Sequence, residues 1–473
     1  MSAAAVVLAA GKGTRFRSDT AKVLHRAAGR SLLGWVLESL RPLGLDRVIV
    51  VVGHQAEAVA AEADAVGVPG TVSVTQPEQR GTGHAVRLAL ASGQADDADT
   101  VLVLPGDVPL LRPEPLAGLL ADHAEAQRAA TLLTARLPDP TGYGRVVRDG
   151  QGAVRAVVEE RDADAATRQI DEINTGVAAY ARDDLARALG ALSTDNAQGE
   201  EYLTDAVAAL ATTDAAQQGV GAIAGDPEAV HGVNDRAQLA DVAAALRRRL
   251  LDRLMRADGV TVIDPAATYV DADVTVGADT TLMPGTILEG ATHVGAGARI
   301  GPHSHLTDTV VGDGATVASS TCTGARIGPG ASVGPYSHLR TGTELAAGAK
   351  VGAFCETKSA ALGEGAKVPH LSYIGDATVG AGANVGAATV TVNYDGFAKH
   401  RTEIGEGARI GSDTMLVAPV RVGREAYTGA GSVITQDVPD GALGLSRSDQ
   451  VIKEGYAERK RARHQQRAEG GQP

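Results

Sequence analysis

The sequence predicts two unlike bodies, an α/β half on a mixed, mostly parallel sheet and a solenoid of short parallel strands. Three observations lead there. At 473 residues the chain exceeds what one hydrophobic core serves. Up to about residue 230, short apolar runs alternate with amphipathic helical stretches. After Gly259 an aliphatic residue returns every six positions, often with glycine behind it.

Composition narrows the classes. Hydrophobic residues make up 44% of the chain, yet aromatics only 3%, and glycines number 58. That balance fits a glycine-punctuated repeat over part of the chain better than an α/β fold throughout. A formal net charge of -13 argues against nucleic acid or an anionic membrane as the main partner. Anionic small substrates stay open, because local cations can meet phosphates. The two cysteines, Cys322 and Cys355, make no disulfide framework, which points to a reducing compartment. Met1–Ala10 is apolar without a basic leader and runs into a glycine loop, so it reads as a buried strand. No apolar run reaches the ~18 residues of a membrane span. A soluble protein of the cytoplasm is expected.

In order along the chain, Ala3–Ala10, Arg47–Val52, Thr71–Thr75 and Thr100–Leu104 read as strands. Leu32–Leu43, His54–Ala65 and Ala85–Ala91 read as helices between them. This alternation predicts helices on both faces of the sheet, with ligands beyond the carboxyl ends of its strands. Residues 1–234 form the first domain in this reading. From Asp235 to Asp258, Leu239, Val242, Leu246, Leu250 and Leu254 recur at helical spacing, with arginines gathered toward the C-terminal end. A linker helix over 235–258, roughly 35 Å long, is expected to keep two bodies apart. Residues 259–448 form the second domain. There Ile327, Val333, Leu339, Leu345 and Val351 are spaced by six, as are Ile404, Ile410, Leu416 and Val422. A period of six suits neither helix nor ordinary strand, but one short strand and one turn per hexad. The beat breaks at Ala388–Thr402, read as an inserted loop, and ends near Leu443. The charged tail over 449–473 is expected to fray.

The first strand leads into Leu8-Ala9-Ala10-Gly11-Lys12-Gly13-Thr14-Arg15-Phe16, and Lys22 follows. Backbone amides of such a loop can wrap phosphate oxygens, with Arg15 and Lys22 supplying charge. It lacks the closing Gly-Lys-Ser/Thr of a Walker loop and the third glycine of a dinucleotide fingerprint. The string resembles the signature of sugar-1-phosphate nucleotidyltransferases, whose first domain is Rossmann-like. The resemblance makes Gln76 with Gly81, Thr82 and Gly83 the base-reading segment. It makes Gly106-Asp107 the segment bearing the metal-binding aspartate and Asn234 the second metal ligand, for Mg²⁺. Glu159 and Asn174 become sugar contacts, and Gly144, in Gly142-Tyr143-Gly144-Arg145, part of a loop over the substrate.

The solenoid carries Arg340, Lys358, His370, Tyr373, Asn384 and an inserted Asn393-Tyr394-Asp395-Gly396, more polar chemistry than bare coils need. With the N-terminal set, these resemble the bacterial bifunctional N-acetylglucosamine-1-phosphate uridyltransferases/glucosamine-1-phosphate acetyltransferases, from Leu8 to Arg447. The resemblance implies a left-handed parallel β-helix, a homotrimer, and acetyl sites between neighbouring copies. It implies glucosamine-1-phosphate, acetyl-CoA and UTP as substrates, with acetylation first and uridyl transfer second. UDP-N-acetylglucosamine for the cell wall is the product. His370 becomes the general base; histidine suits this, since its ordinary pKa of ~6.5 lies near working pH. Arg340 and Lys358 become the grip on the sugar phosphate, and Tyr373 and Asn384 position the sugar. Ala387, Ser412, Ala430 and Arg447 line the coenzyme A groove, joined by Asn393 and Tyr394.

Three positions depart from the family's pattern: Pro105 before Gly106, Pro369 before His370, and Ala388 in Ala387-Ala388-Thr389. None removes a functional side chain, and each bears on the local backbone path. Two other readings stand beside this one. In one, the β-helix is a regulatory or trimerising appendage to the nucleotidyltransferase. In the other, His303, His305, His338 and His370 supply a zinc site for a hydro-lyase.

Overall fold

The computed structural model describes residues 2–211 and 219–469, which fall into two compact units. The first comprises residues 1–253 with 270–273, the second residues 254–269 with 274–473.

In the first unit the strands expected at Arg47–Val52 and Thr71–Thr75 form over those bounds, and the others run Ala3–Ala9 and Thr100–Pro105. Together with Ala130–Arg136, Glu172–Ala181 and Val220–Ala224 they make one sheet. Its spatial order is 220–224, 130–136, 172–181, 100–105, 3–9, 47–52, 71–75. The pairings are parallel except where Glu172–Ala181 lies antiparallel between its neighbours. A hairpin of Arg145–Arg148 and Val154–Val158 joins the same sheet through Ile173.

The period-2 pleat sorts the buried residues between two layers. Ala4, Val6, Val101 and Val103 share one core with Val86, Leu185 and Val207 of helices 82–91, 182–190 and 203–211. Ala5, Val7, Leu102 and Leu104 share the other with Leu33, Val59 and Leu116 of helices 32–40, 56–66 and 113–126. The helix expected over Leu32–Leu43 is α-helical to Leu40 and then tightens, because Pro42 has no N–H to continue the ladder. Ser31 caps its start, accepting from the Gly34 amide at 2.8 Å.

The expected linker over 235–258 is the helix Arg236–Arg256, about 32 Å long. It is no free strut. Val242, Ala245 and Leu246 pack with Phe16, Leu32, Leu110 and Val233 in a third core. The apolar stripe that marked it as a helix therefore also ties it to the first unit, and the division falls after Arg253, not at 234.

The second unit is a left-handed parallel β-helix in which three hexads make one coil. Leu282 stands beside Ile300, Ile300 beside Val317, Val317 beside Val333 and Val333 beside Val351. All five are at most 2% exposed, so the six-residue beat becomes columns of stacked aliphatic groups. Cys322 occupies a rung between Leu306 and Leu339, and burial there pushes its thiol pKa up to about 12. It is core, not a nucleophile.

The break expected at Ala388–Thr402 is narrower. Val390–Val392 still pairs with Met415–Val417, and the chain leaves the coil only for 393–401. Pro369 sits inside the strand Lys367–His370, its backbone lying where a side chain on Gly352 would stand. Ala388 takes φ 59°, a corner conformation shared by Tyr336, Phe354 and Leu371 one coil after another. The departures at both positions are thus accommodated by the local coil. In the tail, Tyr456–Glu469 is an α-helix instead of a frayed segment. Ala, Arg, Lys, Gln and Glu are strong helix formers and dominate that stretch; residues 470–473 lie outside the described residues. Among the described residues no helix is long and apolar enough to cross a membrane.

Column stacking makes a prediction. Leu306→Ala should cost about 3 kcal/mol, because rungs above and below are held by their own ladders and cannot collapse into the gap. Val433→Ala, at a site 47% exposed, should stay within about 0.5 kcal/mol. Urea denaturation followed by circular dichroism compares the two.

Candidate functional sites on the two units

The first unit holds a cavity of about 580 Å³ at the carboxyl ends of its parallel strands. Leu8, Ala9, Ala10, Gly11, Lys22, Gln76, Gly81, Thr82, Asp107, Glu159 and Asn174, all named in the sequence reading, line it. Gly13 also lines it, with φ 59°, and a side chain there would run into the Cβ of Lys22 at 2.6 Å. The glycine is required for Lys22 to approach the loop.

Lys22 joins two residues remote from each other in the chain. Its ammonium lies on the Asp107 carboxylate, with both side chains 16% exposed. The Asn234 side-chain oxygen is 3.5 Å from that ammonium and accepts from Arg15 Nη2 at 3.1 Å. Asp107 and Asn234, far apart in the chain, therefore direct oxygens at one cation. The Val233 amide donates to the Asp107 carbonyl at 3.0 Å, and the Asn234 amide donates to Gln238 Oε1 at 2.7 Å. Helix 236–256 thus holds Asn234 from its first turn.

Four expected residues are not among those that line the cavity: Arg15, Gly106, Gly144 and Asn234. The Gly106 amide donates to the Leu8 carbonyl at 2.9 Å, and the Gly144 carbonyl accepts from the Asn174 amide at 2.8 Å. Buried Gln76 donates through Nε2 to the Gly81 carbonyl at 3.1 Å. Pro105 ends its strand against the wall, and a side chain on Gly176 would meet its ring. Glu159 receives the Thr204 hydroxyl at 3.1 Å. Desolvation raises its pKa above the ordinary carboxylate value, and Asp162 and Asp205 add to the effect.

Sequence reasoning missed Gln79, Glu200, Leu203 and Thr204, which line the same cavity. Gln79 Nε2 donates to the Ala10 carbonyl at 2.6 Å. The only signal for the others was a paired acid before a helix, Glu200-Glu201-Tyr202-Leu203-Thr204.

On the second unit, parallel register brings side chains together coil over coil. Lys358 pairs in register with Gly375 and lies one coil beyond Arg340, whose amide donates to the Thr357 carbonyl at 2.9 Å. A side chain on Gly375 would collide with the Tyr373 ring. Asn393 Nδ2 donates to Asp376 at 2.5 Å and to the Tyr373 hydroxyl at 3.4 Å. Arg340 pairs with Glu356 at 2.8 Å. Lys399, which sequence reasoning also missed, stands beside Lys358 and lowers its pKa, while Asp376 opposes the shift. Lys399 enters from the inserted loop, where Asp395 accepts from the amides of Phe397 and Ala398 and pairs with His400. Tyr394 is exposed in the same loop, its hydroxyl donating to the Gly396 carbonyl at 2.6 Å.

His370 is exposed at the end of its strand. Asn384 lies on that same sheet beside Lys367 and Arg409, away from the pairings that gather Tyr373 and Asn393. Ala387, Ser412 and Ala430 follow Gly386, Gly411 and Gly429 at one corner of successive coils, since a side chain on Gly386 would meet Ser412 and one on Gly411 would meet Ala430. Arg447 Nη1 donates to the Ala430 carbonyl at 3.0 Å. The zinc reading finds no support: His305 Nε2 is bound to Glu289 at 2.7 Å. Among the described residues no three His, Cys, Asp or Glu side chains gather as metal ligands.

Residues 5–260 match the family model described as MobA-like NTP transferase domain. The chain is 52% identical to the bifunctional protein GlmU of Streptomyces avermitilis, over 97% of this chain and 95% of that one. It is 51% identical to the GlmU of Mycolicibacterium vanbaalenii, over 97% and 93%. With the GlmU of Brevibacillus brevis it shares 48% identity over 96% of each chain.

The raised pKa of Glu159 sets a pH test. Burial disfavours its charged form, so its contribution to stability is full below the ordinary carboxyl pKa and is lost as pH rises through the raised value. Glu159→Gln should therefore raise the melting temperature at pH 7. The gain should fade as pH falls below about 4.5, read by calorimetry across that range.

Proposed function

The chain belongs to the family of bifunctional GlmU proteins, which join a uridyltransferase to an acetyltransferase, and on that footing we propose how its residues divide the two reactions. The C-terminal unit acts first, on glucosamine-1-phosphate. Arg340, Lys358 and Lys399 bring three cations to one region of the β-helix, a charge that suits a sugar phosphate. Tyr373 and Asn384 position the sugar. His370 takes a proton from the sugar ammonium, and the freed amine attacks the thioester carbonyl of acetyl-CoA. A C–N bond forms, the C–S bond breaks, and coenzyme A leaves as thiolate to be protonated. Ala387, Ser412 and Ala430 at their shared corner, with Arg447, Asn393 and Tyr394, hold the coenzyme.

The N-terminal unit then uses N-acetylglucosamine-1-phosphate. A phosphate oxygen of the sugar attacks the α-phosphorus of UTP, an O–P bond forms, and the bond to pyrophosphate breaks. The protein supplies position and charge. Amides of the loop from Ala10 to Gly13, with Arg15 and Lys22, face the phosphates. Gln76, Gly81 and Thr82 take the base, and Glu159 and Asn174 the sugar. Asp107 and Asn234 fit a divalent metal, Mg²⁺ in this reading, since one carboxylate and one amide oxygen already converge on the Lys22 ammonium. When bound, Mg²⁺ would neutralise phosphate charge as it develops. That convergence of two remote oxygen donors on one cation is the observation that carries the reading.

We place the protein in the cytoplasm, where its substrates are made and where Cys322 and Cys355, both free and buried, stay reduced. A homotrimer completes the picture. Tyr336, Phe354 and Leu371 are 63%, 59% and 60% exposed at successive corners, with Tyr336 stacked on Phe354 at 5.3 Å. Such a stripe suits burial against another copy.

Two measurements test this. With glucosamine-1-phosphate, acetyl-CoA, UTP and Mg²⁺, free thiol and pyrophosphate are followed separately. His370→Ala should cut thiol release by about 10³-fold and spare pyrophosphate release from pre-acetylated sugar, and Asp107→Ala should do the reverse. Loss of both activities in either variant contradicts independent sites. In sedimentation, Phe354→Glu should shift the trimer toward monomer and reduce thiol release more than pyrophosphate release.

A further inference from the structure

Glu200, Leu203 and Thr204 line the N-terminal cavity, but Glu201 between them does not. Its side chain is 7% exposed and meets Arg80 Nη2 at 2.9 Å and Arg87 Nη2 at 2.6 Å. Its backbone is engaged at both ends. The Glu201 amide donates to the Arg80 carbonyl at 2.7 Å, and its carbonyl accepts from the Gly83 amide at 2.8 Å. Two residues on, the Leu203 amide donates to the Thr82 hydroxyl at 3.1 Å. The approach is close enough to dictate sequence: Gly81 has φ 108°, and a side chain there would come within 2.5 Å of the Glu201 carbonyl oxygen. Gly81 is therefore small because a second chain segment presses on it, whatever ligand it also meets.

We propose that Glu201 is a positioning residue, whose ion pairs with Arg80 and Arg87 strap segment 200–204 to the turn 80–83. The proposal rests on the assignment of base to the turn and of sugar to Glu159, whose partner Thr204 belongs to the strap. Each ligand then meets a wall that the other helps to order. Ordering on one side lowers the cost of binding on the other, and by linkage the benefit is equal in both directions. Arg80 and Arg87 are about half exposed, so they set the strap without closing the cavity.

The test uses a pair that cannot react, α,β-methylene-UTP and N-acetylglucosamine-1-phosphate, titrated calorimetrically in Mg²⁺. In the wild type each should raise the affinity of the other by the same factor, about fivefold or more. Glu201→Ala should bring the factor near one. Glu201→Gln, which keeps a hydrogen bond to one arginine, should restore part of it. If Glu201→Ala fails to fold, Arg87→Met, which removes one of the two ion pairs and leaves Arg80 on Glu201, should lower the factor part of the way toward one. Near-wild-type circular dichroism and an unchanged melting transition check that each variant's N-terminal unit is folded. An equal factor in wild type and variants, or no coupling in the wild type, overturns the strap alone. Failure of the wild type to bind either ligand overturns the assignment of the cavity together with the strap.

Discussion

Parallel strand pairing is the constraint from which both units follow. A parallel neighbour cannot be reached by a tight turn, so the chain must travel back before it pairs again. The first unit returns through helices, which places strand ends Ala9, Val52, Thr75 and Pro105 along one edge. The loops that leave those ends then have nowhere to go but around a common cavity. The second unit returns by completing a three-sided coil, which places each residue above its counterpart in the coil before. Inward positions become aliphatic columns, and outward positions stack side chains coil over coil.

The same constraint explains how unlike chemistries are assembled. In the first unit, Lys22 is reached by a loop from one strand, Asp107 by a loop from another, and Asn234 by the entry to helix 236–256. The result is a polar cluster whose charges neutralise one another. In the second unit, Arg340, Lys358 and the Tyr373 ring meet because successive coils stay in register. Lys399 beside Lys358 lowers its pKa there, while Asp376 opposes that shift and Glu356 pairs with Arg340.

Much of this was legible because it lies in local pattern. The valine-rich strands, the six-residue beat and the glycine loop each express a backbone requirement within a few residues. The departures at Pro369 and Ala388 were legible as oddities, but only the coil explains them: Ala388 sits at a corner where Tyr336, Phe354 and Leu371 adopt the same left-handed φ. Lys399 and Thr204 were not legible, since each gains meaning from a partner far away in sequence. The expected linker was half legible. Its helical stripe was plain, but periodicity does not say which body a stripe packs on, and Phe16, Leu32 and Leu110 decide that.

By itself the sequence determined the two architectures, the place of the glycine loop after the first strand, and the residue types available for nucleotidyl and acetyl transfer. Periodicity is a local property, and hydrophobic burial enforces it residue by residue. The tertiary structure alone decided which distant groups share a space: Lys22 with Asp107 and Asn234, Lys358 with Lys399, and Glu201 with Arg80 and Arg87. Those encounters depend on strand order and coil register, and a residue's neighbours in the chain carry no record of either.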